Sequence, residues 1–88
     1  MTTIRKKDGW LTAEVGDELV MMSVANGKYI GLNEVGARIW QLLETPLSRE
    51  ALYAQLLEEF DVTAELCRVE VDAFLAELDR NSAIEVEG

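Results

Sequence analysis

Three places in the chain carry side chains whose type and spacing suggest chemistry: the single Cys67, the acidic group Glu58-Glu59-Asp61, and the basic run Arg5-Lys6-Lys7. Histidine is absent, so zinc and haem ligation and Ser-His or Cys-His nucleophilic catalysis lack their usual parts. Cys67 is spaced one helical turn from Val71, with Leu75 a turn further, which places it on an apolar stripe where a thiol packs as a small hydrophobe. Glu58-Glu59-Asp61 lacks the ligand spacing of a calcium loop and reads as a solvated helix end. No catalytic set, no metal site and no cofactor is therefore expected. Arg5-Lys6-Lys7 reads as a mobile, soluble chain end able to touch an acidic partner.

The charge balance excludes another class. Seventeen acidic against eight basic residues give a net charge of −9, and such a surface repels phosphates. The second half looks like a helix-turn-helix, but a recognition helix needs cations. Residues 65–80 hold five acids and two arginines, so no nucleic-acid partner is expected. No apolar run approaches about 18 residues and the polar start resembles no signal peptide, so no membrane partner is expected either. The lone cysteine forms no internal disulfide, which suits the cytoplasm.

A chain of 88 residues makes one domain and buries roughly 60% of its unfolded surface. Its 49% hydrophobic content suffices for that core. Residues 1–9 are expected to be a flexible N-terminal segment and residues 10–88 the folded domain. The hydrophobic period then changes once. Up to Asn33 it is strand-like: Trp10 to Val15, closed by Gly16-Asp17; the dense apolar run Leu19 to Val24; then Asn26-Gly27 and Lys28 to Leu32. Asn-Gly between two such runs predicts a two-residue type I′ hairpin. That turn pairs Val24 with Tyr29, Ser23 with Ile30, Met22 with Gly31 and Met21 with Leu32.

After Asn33 the period is helical. Asn33, Ser48 and Thr63 are expected N-caps of three helices, and Leu47 with Leu52 has the spacing of a hydrophobic staple. The second helix is expected to bury Leu52, Leu56, Leu57 and Phe60, and Asn81 to end the third in a left-handed conformation. Trp40 lies beside the Ile39 face, as partly buried core or as a pocket wall. The alternating tail Ala83 to Glu87 suggests a short added strand. The fold class is α+β, winged-helix-like, with a three-stranded antiparallel sheet followed by three helices.

The third helix carries two apolar stripes. Cys67, Val71, Phe74, Leu75 and Leu78 fall within a sector of roughly 100°, the width of a core face. Leu66, Val69, Ala73 and Ala76 lie roughly opposite. Alanine is a good helix former on surfaces, so one reading gives that second stripe no role. The other makes it one wall of a shallow groove, with the unpaired edge of the third strand as the other wall. Gly31 in that strand either permits close approach or marks a bulge.

The run Gly27-Lys28-Tyr29-Ile30-Gly31-Leu32-Asn33-Glu34-Val35-Gly36-Ala37-Arg38-Ile39-Trp40 resembles the signature of the PqqD-like family, in which a "G-K/R-Y-x-x-LN" stretch joins the last strand to the first helix. Glu58-Glu59-Phe60-Asp61-Val62 is similar to the family's "EEFDV" turn, and Val71 to Leu78 to its "V-x-x-F-L-x-x-L" helix. Together these span most of residues 10–87. The usual glycine after the third helix is replaced here near Asn81-Ser82.

The resemblance implies a RiPP recognition element, a non-enzymatic domain that binds the leader of a ribosomally synthesised precursor peptide and presents it to a separate processing enzyme. In the family the leader adds as a strand beside the third strand and packs against the third helix. Carried over, the strand wall is Lys28, Tyr29, Ile30, Gly31 and Leu32, and the helix wall includes Leu66, Val69, Asp72, Ala73 and Ala76, with Arg68, Asp72 and Arg80 at the polar rim. The free-standing domain looks most like those of lasso-peptide clusters, whose partner is a leader peptidase. The alternative is delivery to a radical-SAM enzyme. A rival of another class is a homodimeric interaction module paired through Leu66, Val69 and Ala73.

Overall fold

The computed structural model describes residues 2–87. Its first sheet is the expected meander: β2 (Trp10–Val15), β3 (Glu18–Ser23) and β4 (Lys28–Leu32), in that order and antiparallel. Three helices follow, α1 (Glu34–Leu42), α2 (Arg49–Glu59) and α3 (Ala64–Arg80). A second sheet was not anticipated. It takes β1 (Thr3–Lys6) as its centre, the two-residue β5 (Leu47–Ser48) on one side and β6 (Ile84–Glu87) on the other.

The strand β1 corrects the expectation of a flexible N-terminal segment. Ile4 pairs with Leu47 and Val86 and is completely buried. Arg5 stands opposite Glu85, 3.4 Å from its carboxylate and 3.5 Å from that of Glu87. Lys6 reaches Glu44 at 2.6 Å and lies 4.5 Å above the Trp40 ring, and the Lys7 amide donates to the Ala83 carbonyl. The basic head and the acidic tail are therefore cross-strand partners, which is what opposite charges on facing positions favour. The local pattern is four residues with one apolar member, too short to announce a strand whose partners come from far along the chain.

The β3–β4 hairpin also differs from expectation. Its pairs are Ser23–Lys28, Met22–Tyr29, Met21–Ile30, Val20–Gly31 and Leu19–Leu32, so the loop has four residues, Val24 to Gly27. A type I′ turn needs positive φ at both central residues, and only Gly27, at +65°, has it. The Gly27 amide donates to the Ser23 carbonyl at 2.9 Å. The register moves by two residues, an even shift, so the same side chains still face the core: Met21, Ile30 and Leu32 are buried.

The three expected N-caps form as read. The side chains of Asn33, Ser48 and Thr63 accept from the amides of Gly36, Ala51 and Leu66 at 2.7, 3.1 and 3.1 Å. At the end of α3 the left-handed residue is Ser82, with φ 60°, while Asn81 has φ −94°. The amide of Ala83 donates to Leu78 and that of Ser82 to Asp79, the paired bonds of a Schellman motif. Buried Ala83 against buried Leu78 supplies the usual apolar contact, and Asn81 contributes by donating its side-chain amide to Glu77. On α2, Leu52 and Leu56 are buried as expected and Phe60 half-buried. Leu57 is 39% exposed, because the helix presses only one narrow stripe onto α3. Among the described residues no helix is long and apolar enough to cross a membrane.

Candidate peptide-binding groove

The strand β4 lies at the edge of its sheet, so one row of its N–H and C=O groups has no strand partner. Ile30 and Leu32 point inward and anchor the strand in the core. Lys28, Tyr29 and Gly31 are exposed. The ladder to β3 runs without interruption through Gly31, which removes the bulge reading. A Cβ added at Gly31 would meet nothing within 4 Å, so the strand is open to approach there.

On α3 the structure separates the two stripes as the wheel predicts. Cys67, Val71, Leu75 and Leu78 are buried, whereas Leu66 (47%), Val69 (61%), Ala73 and Ala76 are exposed, as is Arg80. What the wheel alone leaves undecided is which flank of the helix faces β4. Two sets of contacts settle that. Asp72 takes hydrogen bonds from Tyr53 at 2.5 Å and Arg49 at 2.8 Å, both on α2, and Arg68 stands 5.7 Å from the Tyr53 ring centre. Phe74 on the other flank packs against the first turn of α1: a Cβ at Gly36 would lie 3.2 Å from its ring. The Phe74 flank, with Glu70 and Glu77 one turn away on either side, therefore faces the junction where β4 runs into α1. Of the helix residues expected at the groove, Leu66, Val69, Ala73, Ala76 and Arg80 are exposed, whereas Arg68 stands by the Tyr53 ring and Asp72 is bonded to Tyr53 and Arg49 of α2.

The electrostatics of that far side fit a structural clasp. The hydrogen bond from Tyr53, followed by that from Arg49, holds the Asp72 carboxyl below the usual carboxylate range. Burial and then the bond to Asp72 push the Tyr53 hydroxyl up, and the Asp72 bond raises Arg49. Elsewhere the chemistry-bearing side chains are occupied in packing. Burial pushes the Cys67 thiol up, away from the reactive thiolate. Trp40 is 5% exposed and belongs to the core, with Lys6 over its ring. Glu59 accepts two bonds from Arg38, at 2.6 and 2.8 Å, and one from Gln55. Among the described residues no group of three or more His, Cys, Asp or Glu side chains is placed to hold a metal.

A further surface escaped the sequence reading. In register, Leu11, Met22 and Tyr29 form one row across the outer face of the first sheet, and Ala13, Val20 and Gly31 the next. Leu11 (59%), Met22 (38%) and Tyr29 (76%) are exposed, as is Val15 at the sheet's end. Isolated exposed apolar residues are ordinary, but a contiguous apolar sheet face marks an interaction site. The run Leu19 to Val24 hid it, because six consecutive apolar or small residues read as a strand buried on both faces. Only Leu11 and Val15, alternating on β2, carried a signal.

Comparison with known proteins bears on this geometry. Among curated proteins no relative matches. A solved structure described as "TbiB1 in Complex with the TbiA(beta) Leader Peptide" is similar at 29% identity and a TM-score of 0.76, over 92% of this chain and 94% of that one. A second, "Lasso peptide synthetase B1 complexed with the leader peptide", shares the fold at 21% identity and a TM-score of 0.75, over 93% and 96% of the two chains. The family model described as "Coenzyme PQQ synthesis protein D (PqqD)" matches residues 18–84, which hold β3, β4 and all three helices. With most of its length matched, this chain belongs to the PqqD family.

Proposed function

We propose that this protein is a RiPP recognition element: it binds the leader of a ribosomally made precursor peptide and presents it to a separate enzyme. The observation that carries the reading is the unpaired edge of β4, together with an exposed apolar stripe on α3, in a fold shared with TbiB1, which was solved with a leader peptide. The leader adds as a strand along Lys28 to Leu32, and main-chain pairing supplies much of the affinity. Its apolar side chains fill the space beside Leu66, Ala73 and the Phe74 flank. Arg68 and Asp72 take no part in this arrangement, being held against α2. The domain is a carrier without catalytic chemistry of its own, working in the cytoplasm. In this reading the partner enzyme is a lasso-peptide leader peptidase, with a radical-SAM enzyme as the alternative. The apolar outer face of the first sheet is the surface that partner grips, since a strand added to β4 widens that same face.

Titration of labelled leader peptide into wild type and Ala73→Arg tests the reading, with folding followed by circular dichroism. The arginine crowds the groove from an exposed position, so the fold stays intact. A loss of about 2 kcal/mol weakens binding roughly thirtyfold. Unchanged affinity in a folded variant places the site elsewhere. Sedimentation at micromolar concentration separates the rival. A stable dimer that Val69→Glu disrupts, with no response to leader, assigns the Leu66–Val69–Ala73 stripe to self-association.

A further inference from the structure

The first sheet has two edges, and only that of β4 is assigned to the leader. The other is β2, which pairs with β3 alone. Exposed edge strands are ordinarily guarded by lysine, proline or a bulge. The strand β2 has none of these: it reads Trp-Leu-Thr-Ala-Glu-Val, and its ladder to β3 runs through six consecutive pairs without interruption. Leu11, Thr12, Glu14 and Val15 are exposed, so the strand stands open to solvent. The two ends of this edge differ in charge. Beside Trp10 and Thr12 a cavity of about 410 Å³ is lined by Lys6 and Lys7 together with Asp8 and Glu44. At the other end a cavity of about 340 Å³ is lined by Glu14, Asp17 and Glu18, with no cation among its lining residues. Lys6 is paired with Glu44, while Lys7, Glu14, Asp17 and Glu18 are in no ion pair among the described residues.

From these observations we infer that β2 is a self-association edge. A second copy of this chain pairs with it antiparallel about a two-fold axis, joining two three-stranded sheets into one of six strands. Antiparallel pairing sets the Lys7 end of each strand against the Glu14 to Glu18 end of the other, and the symmetry makes that contact twice. A two-fold that keeps both apolar faces on one side centres on a single residue. Centred on Thr12, five residues of each strand pair: Thr12 meets Thr12, Leu11 meets Ala13, Trp10 meets Glu14, and Lys7 comes level with Asp17. Centred on Ala13, the same number pair, but Asp8 comes level with Glu18, and facing like charges are destabilising. Centring on Thr12 also runs the row Tyr29, Met22, Leu11 on into Ala13, Val20 and Gly31 of the second copy. Both β4 edges lie at the outer ends of the six strands, so the inference is independent of the leader-binding reading. The contact is smaller than the roughly 1,200 Å² at which stable interfaces begin, so association is weak. A net charge of −9 on each copy opposes it and makes it tighten as salt rises.

Sedimentation velocity of the full chain from about 5 to about 500 μM, in about 0.15 and about 0.5 M NaCl, tests this. A reversible monomer–dimer equilibrium is expected, stronger at the higher salt. Thr12→Lys and Thr12→Glu should each weaken it at least about tenfold, because each puts two like charges on the axis. Thr12 is exposed, so both variants keep the fold, which circular dichroism checks. An equimolar mixture of the two should recover the association as a heterodimer, a result that only pairing across Thr12 gives. A chain that stays monomeric at about 500 μM, a dimer that ignores both substitutions, or a mixture that fails to recover overturns the inference. Leader peptide should bind the dimer without dissociating it. Dissociation by leader would place the second copy on β4 and overturn the assignment to β2.

Discussion

Replacing Ile4 by alanine distinguishes a chain end that floats from one that is built into the domain. Ile4 is 0% exposed and pairs with Leu47 on one side and Val86 on the other. Ile4→Ala deletes three buried carbons, about 2.4 kcal/mol of transfer free energy at about 0.8 kcal/mol each. A cavity term raises the cost to about 3–4 kcal/mol, because neighbours on three strands collapse only partly. A domain of this size is stable by roughly 4–13 kcal/mol, so the loss is a large share of the total. At about 4–8 °C per kcal/mol the melting temperature should fall by roughly 12–30 °C. Urea unfolding followed by circular dichroism measures it, with an unchanged slope showing that the same surface is exposed. Arg5→Ala is the control on the same strand. Arg5 is about half exposed and its pairs with Glu85 and Glu87 lie at 3.4 and 3.5 Å, so its loss should cost about 0–1 kcal/mol. If Ile4→Ala costs less than about 0.5 kcal/mol, the strand does not form and the second sheet is wrong.

Other consequences are accessible to the same assay. The Asp72 carboxyl titrates below its ordinary value in the folded state, so its contribution is complete above the unfolded value near 4 and disappears as pH falls through the lower folded one. Asp72→Asn should therefore flatten the acid limb of the stability curve below about pH 4, and an unaltered acid limb would rule the clasp out. Ser82→Gly should stabilise the protein by about 0.5–1 kcal/mol, because a side chain at φ 60° pays for a left-handed backbone that glycine adopts freely. Destabilisation by that substitution would mean that the Schellman turn at the end of α3 is misplaced.

What the sequence determined by itself is what depends on neighbours a few residues away. Asn33, Ser48 and Thr63 cap their helices because a cap needs only a side-chain oxygen and the amide three residues on. The two stripes of α3 follow from the helical rotation, and the inward set on β4 survived a misjudged turn because a shift of two residues preserves the face. Tertiary structure decided everything that requires distant segments to meet. The strand Thr3–Lys6 exists because residues from the opposite end of the chain and from the α1–α2 connection pair with it, an arrangement no local pattern of four residues contains. The exposed apolar face of the first sheet depends on which side the helices cover. The assignment of Asp72 to α2 and of Phe74 to the first turn of α1 depends on how α3 is rotated against its neighbours. A helical wheel gives the relative angles of side chains around an axis, but the direction in which each one meets a partner is set by packing.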